Sequence, residues 1–257
     1  MMPLTEILLA GPRDDTGFTA IVPDDWMQGR TAYGGLSGAL ALQAALELEP
    51  DLPPLRSAQI AFIGPLAGPV QVSATLLRRG RNSAFIQADV LAGSSLGLRA
   101  TFVFMAAMES HAARDVAPRA QVAPPPPDAR LYTGPDGYFT SNFNFFDLKD
   151  AAGEAEWLRW GRLRERTGLH PMVELVAIGD SLPPGAFKLY GKRGVPLSSL
   201  NWTINFLTPE PSTRDGWWLL NARTDTAHHG FSSQRMLTWN AAGEPMTEAM
   251  QSVAIFG

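Results

Sequence analysis

The sequence predicts an α+β fold in which two antiparallel sheets are each wrapped around a central helix. Three observations carry this reading. An apolar helical stretch followed by a run of alternating, strand-like segments occurs once in each half of the chain. Each helix ends at an Asp-containing Pro-Pro stop, and a proline-rich segment separates the two copies. At 257 residues the chain is long enough for two packed modules of ordinary domain size.

In the first half, Tyr33-Gly34-Gly35-Leu36 opens a segment, residues 37–48, that is rich in Ala and Leu and apolar almost all round. That is the pattern of a helix enclosed by protein. Asp51-Leu52-Pro53-Pro54 stops it, because proline supplies no amide hydrogen and excludes the helical conformation from the residue before it. Strands are expected at 57–62, at the alternating Val70, Val72, Ala74 and Leu76, at 84–91 and at 98–105, with room for one more at 18–22. Residues 116–130 contain Pro118 and the run Pro124-Pro125-Pro126-Pro127, which suits neither helix nor ladder and reads as a linker or crossover strap. It divides the chain into an N-terminal module, 1–115, the proline-rich linker, 116–130, and a C-terminal module, 131–257.

The second half repeats the order. A helix is expected over 170–179, stopped by Asp180-Ser181-Leu182-Pro183-Pro184, and strands follow at 200–206, 217–222, 231–239 and 246–256. Residues 139–146 and 156–164 leave room for further strands before the helix. The two Asp-containing Pro-Pro stops, Phe62 with Pro65 against Phe206 with Pro209, and Gly80 against Gly230 recur at offsets of about 130 to 150 residues, a signal of duplication.

Composition bounds the function. Hydrophobic residues at 45% and charged residues at 18% describe a globular chain rather than a disordered one. A formal net charge of -4 argues against nonspecific binding to nucleic acid, which needs a basic footprint. The basic residues comprise 18 Arg and 3 Lys, which suits planar phosphate contacts and equally reflects genomic base composition. With no cysteine, disulfides, thiolate catalysis and Cys-based zinc sites are excluded. No basic leader precedes an apolar core at the start, and no apolar run reaches the length of a membrane helix, so a cytoplasmic protein without membrane association is expected.

The ordered set of motifs is more specific than any one of them. Tyr33-Gly34-Gly35, Phe62-Ile63-Gly64-Pro65-Leu66-Ala67-Gly68-Pro69-Val70, the turn Leu77-Arg78-Arg79-Gly80-Arg81-Asn82-Ser83, Gly179-Asp180-Ser181 and the ending over 243–251 together resemble the double-hotdog acyl-CoA thioesterases. These are the acyl-CoA thioesterase II type and its thioesterase-like relatives. The resemblance spans almost the whole chain and implies a double hotdog that hydrolyses acyl-CoA to free acid and coenzyme A. In that family an Asp at the end of the second helix, a Thr or Ser at the start of the next strand and a Gln on the last strand hold the attacking water. Here those roles fall on Asp180, Ser199 and Gln251, with Ser in place of the commoner Thr. The resemblance further implies substrate contacts at Gly34 and Gly35, no cofactor and no metal, and a homo-dimer or homo-tetramer.

The residues support this reading and leave alternatives open. Asp180 is the only carboxylate from 176 to 186, and Gln251 lies among Met250, Val253, Ala254 and Ile255, so a buried polar cluster is expected. Asp180 is equally a turn residue before Pro183, Ser199 a strand-edge serine, and Gln251 a surface-facing strand residue. Arg78, Arg79 and Arg81 suit the phosphates of coenzyme A or simply decorate a solvated hairpin. Adjacent His228 and His229 cannot both face one site from a strand, and no His-Glu-x-x-His run is present. Glycine-serine stretches lack the strand-turn-helix setting of a serine hydrolase. Asp51 mirrors Asp180, but no Gln accompanies it, so one site per chain is expected, in the second module, with the first module walling the acyl tunnel. The alternative is a noncatalytic acyl-CoA or acyl-carrier binding protein on the same fold.

Overall fold

The glycine pair at 34–35 begins helix α2 (Gly34–Leu48), three residues before the apolar run itself. Leu36, Ala39, Leu40, Ala41, Leu42, Ala44 and Ala45 are all fully enclosed, so α2 is a core element rather than an amphipathic one. The computed structural model describes residues 1–148, 152–191 and 194–256. Ahead of α2 lie α1 (Leu4–Leu9), β1 (Gly17–Val22) and the two-residue strands β2 (Met27–Gln28) and β3 (Thr31–Ala32). After it come β4 (Leu55–Phe62), β5 (Gly68–Arg79), β6 (Ser83–Ala92) and β7 (Ser95–Met105). The second half adds β8 (Phe143–Asp147), β9 (Glu156–Leu163), α3 (Pro171–Gly179), β10 (Leu197–Phe206), β11 (Trp218–His228), β12 (Phe231–Trp239) and β13 (Pro245–Ile255).

Alternation sets each strand's inward face: in β6, Ala84, Ile86, Ala88 and Val90 are buried while their neighbours are partly exposed. Every pairing among these strands is antiparallel. The fold is the double hotdog, and the sheets of its two halves pair with one another, as the repeated helix-then-strands order leads one to expect. They join edge to edge through β4 and β10 into one sheet of order β1-β5-β6-β7-β4-β10-β13-β12-β11-β9-β8. At the seam Ile60 faces Trp202 and Ala58 faces Ile204, all four buried, so the core is continuous from one half to the other.

Two local differences have clear causes. Of the strand expected at 139–146, the first part is a 3-10 turn, Phe139–Asn142, because the Asn142 side chain donates to the Phe139 and Asp25 carbonyls rather than leaving the backbone extended. The segment after the second Pro-Pro stop is also a 3-10 turn, Gly185–Tyr190, whose Pro184 N-cap sets its start.

The proline-rich segment is a strap laid on the second half. Trp239 Nε1 donates to Pro118 O at 2.6 Å, and Ala120 N donates to Gly243 O at 2.9 Å. Gly243 has φ 75° and a Cβ there would strike Ala120 O, so the docking requires glycine on both counts. Beneath the strap, Trp160, Trp217, Leu219 and Trp239 form a second apolar cluster that Ala120, Val122 and Leu131 close. Trp239→Phe keeps the ring and deletes the hydrogen bond to Pro118. It should cost about 1 kcal/mol, lower the melting temperature by about 2–4 °C and speed limited proteolysis within the strap, which mass mapping of the fragments would read. Unchanged cleavage would show that packing alone holds the strap.

Candidate active site

Helix α3 is short and buried almost throughout, from Met172 to Ile178. His170 Nδ1 accepts from Met172 N at 3.2 Å and Pro171 occupies the first turn, which together fix the start. Buried Glu174 is held by Arg166 through two contacts, 3.0 and 2.8 Å, and by Trp218 Nε1 at 3.0 Å. The helix ends at Asp180, whose φ of -94° and ψ of 8° leave the helical region ahead of the prolines.

Glycines bring the end of α3 against the start of α2. A Cβ on Gly35 would strike Ala177 O, and one on Gly38 would stand 3.1 Å from Val176 Cγ1. Tyr33, the N-cap residue of α2, donates its hydroxyl to Ala177 O at 2.7 Å, satisfying one of the last-turn carbonyls that a helix leaves free. The first intrahelical bond of α2 is Ser37 N to Tyr33 O at 3.1 Å, so the amides of Gly34, Gly35 and Leu36 lie ahead of the helical ladder. Asp180 Oδ2 lies against Gly34, where any Cβ would collide with it, and Phe62 closes the same spot at 3.1 Å.

The other carboxylate oxygen is held from the sheet. Gln251 Nε2 donates to Asp180 Oδ1 at 2.7 Å, Gln234 Nε2 donates to Gln251 Oε1 at 2.6 Å, and Gly185 N donates to Gln234 Oε1 at 3.0 Å. Burial is the main influence on Asp180, pushing its pKa up to about 7, and the Gln251 hydrogen bond pulls partly the other way. Burial, and after it the negative charge of Asp180, pushes the Tyr33 hydroxyl well above the usual tyrosine range.

Asp180, Gln251, Gly34 and Gly35 thus meet in one place. Ser199 pairs with Val253, one inward position beyond Gln251 on β13, about 7 Å along the strand. A bulge between Ser199 and Asn201 turns it to the same face as Trp202. Among the described residues no hydrogen bond joins its hydroxyl to Asp180 or Gln251. Arg78, Arg79 and Arg81 are not brought to Asp180. Arg79 Nη2 donates to Asp51 O at 3.1 Å and Arg79 pairs with Glu49 at 4.0 Å, which anchors that turn at the C-terminal end of the 15-residue helix. Gly34 is at the other end, about 22 Å away. Among the described residues no three His, Asp or Glu side chains gather as metal ligands. Reading the sequence missed Gln234 and Gly185. The available signal was Gln234's position between Ser232 and Met236, on the buried parity of β12.

The first half has no such row. Matching Phe62 to Phe206 places Ala58 where Trp202 stands. Ala58 pairs with Phe102 as Trp202 pairs with Gln251, and Phe102 pairs with Ile86 as Gln251 pairs with Gln234. The polar pair is replaced by two buried hydrocarbon side chains, and Asp51 is an exposed turn residue.

Residues 22–123 match the family model described as acyl-CoA thioesterase N-terminal domain, and residues 109–255 match the acyl-CoA thioesterase C-terminal domain. The chain belongs to the acyl-CoA thioesterase family. This thioesterase is a thioester hydrolase whose substrate class is acyl-CoA. No curated protein matches it in sequence. Among solved structures it is similar to a conserved hot dog protein of unknown function from Alicyclobacillus acidocaldarius, with TM-score 0.84 and 21% identity over 100% of this chain and 99% of that one. A tesB protein of Mycobacterium avium subs paratuberculosis gives TM-score 0.80 and 16% identity over 99% and 98%. An acyl-CoA thioesterase II of Mycobacterium marinum gives 0.74 and 15% over 98% of each chain. At these identities the likeness concerns the fold.

The raised pKa makes a stability test. An unfolded chain releases the Asp180 proton near 3.8, and the folded thioesterase holds it to about 7. The stability this group contributes is full below the first value and is lost as pH rises toward the second. Asp180→Asn cannot ionise, so its melting temperature should rise relative to the wild type between pH 4 and 7 and then level. A constant difference across that range would show that the carboxylate is not desolvated.

Proposed function

We propose that Asp180 is the general base of thioester hydrolysis, that Gln251 and Ser199 position the attacking water, and that the amides at the start of α2 receive the oxyanion. The observation that carries this is one carboxylate bridging two elements: Oδ1 on Gln251, Oδ2 against Gly34 at the N-terminus of α2. Only a glycine start lets a substrate carbonyl and a carboxylate share that helix end. Its free amides and positive dipole end stabilise negative charge that develops on the carbonyl oxygen.

In this reading the water oxygen attacks the thioester carbonyl carbon while Asp180 Oδ2 takes its proton, and the tetrahedral oxyanion forms at the Gly34–Gly35 amides. Collapse breaks the carbon–sulfur bond and returns the proton to the departing thiol of coenzyme A. No covalent acyl-enzyme forms, and the arginine turn at the far end of α2 takes no part in the step. A base with a pKa near the working pH combines an adequate ionised fraction with adequate basicity.

Asp180→Asn preserves shape and hydrogen bonding but cannot accept a proton, so kcat should fall by about two to four orders of magnitude with KM little changed. Gln251→Ala should cost about one to three orders, and Ser199→Thr should retain activity. Free thiol release from short-, medium- and long-chain acyl-CoA measures all three, with thermal melting as the folding control. Wild-type kcat/KM should rise with pH through a midpoint near 7, where Asp180 ionises. An Asp180→Asn enzyme turning over at the wild-type rate would sink the mechanism. Loss of hydrolysis in none of the variants, because the wild type hydrolyses nothing, would favour an acyl-CoA binding protein.

A further inference from the structure

Gln234 lies outside any direct contact with Asp180, yet it is 1% exposed and Gln251 is 2% exposed, in a row whose counterparts in the first half are Ile86 and Phe102. An amide buried where hydrocarbon would serve needs a reason, since each of its polar atoms must be satisfied. The direction of the hydrogen bonds supplies one. Gly185 N–H can only donate, so the Gln234 atom 3.0 Å away must be its oxygen. Gln234 therefore presents its NH2 group to Gln251, 2.6 Å away, and that atom of Gln251 must be oxygen. The remaining end of Gln251, 2.7 Å from Asp180 Oδ1, is then its NH2 group. The second hydrogen of Gln234 Nε2 is turned to Met236 Sδ at 3.7 Å. Reversing Gln251 would set nitrogen against nitrogen at Gln234 and oxygen against carboxylate oxygen at Asp180.

We propose that Gln234 is a positioning residue that fixes which way round the Gln251 amide stands, so that Gln251 donates to Oδ1 of Asp180 and leaves Oδ2 to take the proton of water. This rests on the reading of Asp180 as the base. Gln234 touches neither substrate nor water, and it acts through Gln251 alone. The backbone amide of Gly185 is the origin of the polarity, and it does not titrate.

Among the described residues few other groups bear on the charge of Asp180. Tyr33 faces it from the N-cap of α2. On α3, Glu174 is tied to Arg166 and Trp218, and His170, whose pKa burial lowers, stands at the opposite end of the helix. Phe62 of β4, Trp202 of β10, Gln234 of β12 and Gln251 of β13 bring no charge, while Arg235 and Glu248 are on the exposed parity of their strands. Lys188 of the 3-10 turn lies over the Trp157 ring.

The test compares wild type, Gln234→Met, Gln234→Glu and Asp180→Asn by thiol release from the best acyl-CoA substrate across pH 5 to 9. Gln234→Met fills the slot without an amide and frees Gln251 to turn. Its kcat should fall about tenfold or more with KM within about twofold. Its acid limb should move up by about half a pH unit or more, because donation from Gln251 holds the ionised form of Asp180 in place. Gln234→Glu, once ionised, offers only acceptors and forces the reversed amide, so it should lose more activity than Gln234→Met. If Gln234→Glu does not fold, as judged by melting, Gln234→Met alone decides. A Gln234→Met enzyme with the wild-type acid limb, whatever its melting temperature, would overturn the inference while a collapsed Asp180→Asn activity left the base assignment standing. A fully active Asp180→Asn would instead remove the base assignment, and this inference with it.

Discussion

One carboxylate held out of water between two helix ends is the constraint around which the molecule is arranged. The C-terminus of α3 carries partial negative charge, so an anion at its cap is penalised by the helix as well as by burial. The opposing influence is the N-terminus of α2, brought to the same point because Gly34, Gly35 and Gly38 let the helices approach without Cβ atoms. Tyr33 closes the contact from the side by bonding Ala177 O. A Cβ at Gly35 would strike the Ala177 carbonyl of α3, and one at Gly34 would occupy the place of Asp180 Oδ2.

In the proposed mechanism this arrangement accounts for one site in the duplicated fold rather than two. Outward from the β4–β10 seam the first five strands correspond in order on the two sides, the second half adding β8 at its edge, and α2 and α3 are counterparts. The halves have nevertheless divided the work. The first contributes a helix start with free amides, and the second contributes the buried carboxylate and the polar row that holds it. Neither half holds both. The buried Ile60–Trp202 and Ala58–Ile204 pairs at the seam therefore do more than join sheets, because they set the position of α2's start relative to Gln251. Sealing the outer face of the second half with the proline-rich strap covers three tryptophans that the sheet alone would leave exposed.

Much of the fold was legible in the sequence because its signals are local. Proline stops, all-round apolar helices and alternating strands depend on neighbours within a few residues. Pairing of the two sheets follows from the repeated order of elements, but its register was not legible, since residues 57–61 pair with 201–205 and no local pattern reports that. Asp180 and Gln251 stood out as isolated polar residues in apolar surroundings. Gln234 did not, because Ser232, Ser233 and Thr238 make β12 polar on both parities and hide the inward glutamine. The bulge at Ser199 shifts the facing of that strand end in a way that alternation alone would misassign. Arg78, Arg79 and Arg81 show a different limit: a basic turn after a strand carries no record of which end of the helix it meets.

The polar row also separates tuning from titration. A base must change its charge with pH, but the groups that set its pKa serve best when they do not. Here the chain from Asp180 through Gln251 and Gln234 ends on the main-chain amide of Gly185, and no member except Asp180 is ionisable. Tyr33, a titratable group that faces this region among the described residues, is held neutral by the same burial. Burial therefore acts on one proton only. It lifts Asp180 to about 7, the range in which the proposed base would take a proton from water and return it to a thiol, while the amides around it keep a fixed direction across that range. The cost falls on stability, because the folded state must ionise a desolvated carboxylate above about 7, where the unfolded chain ionised it long before. A site built this way is less stable where the proposed base is ionised, and the close packing of α2 on α3 at Gly35 keeps the carboxylate enclosed all the same.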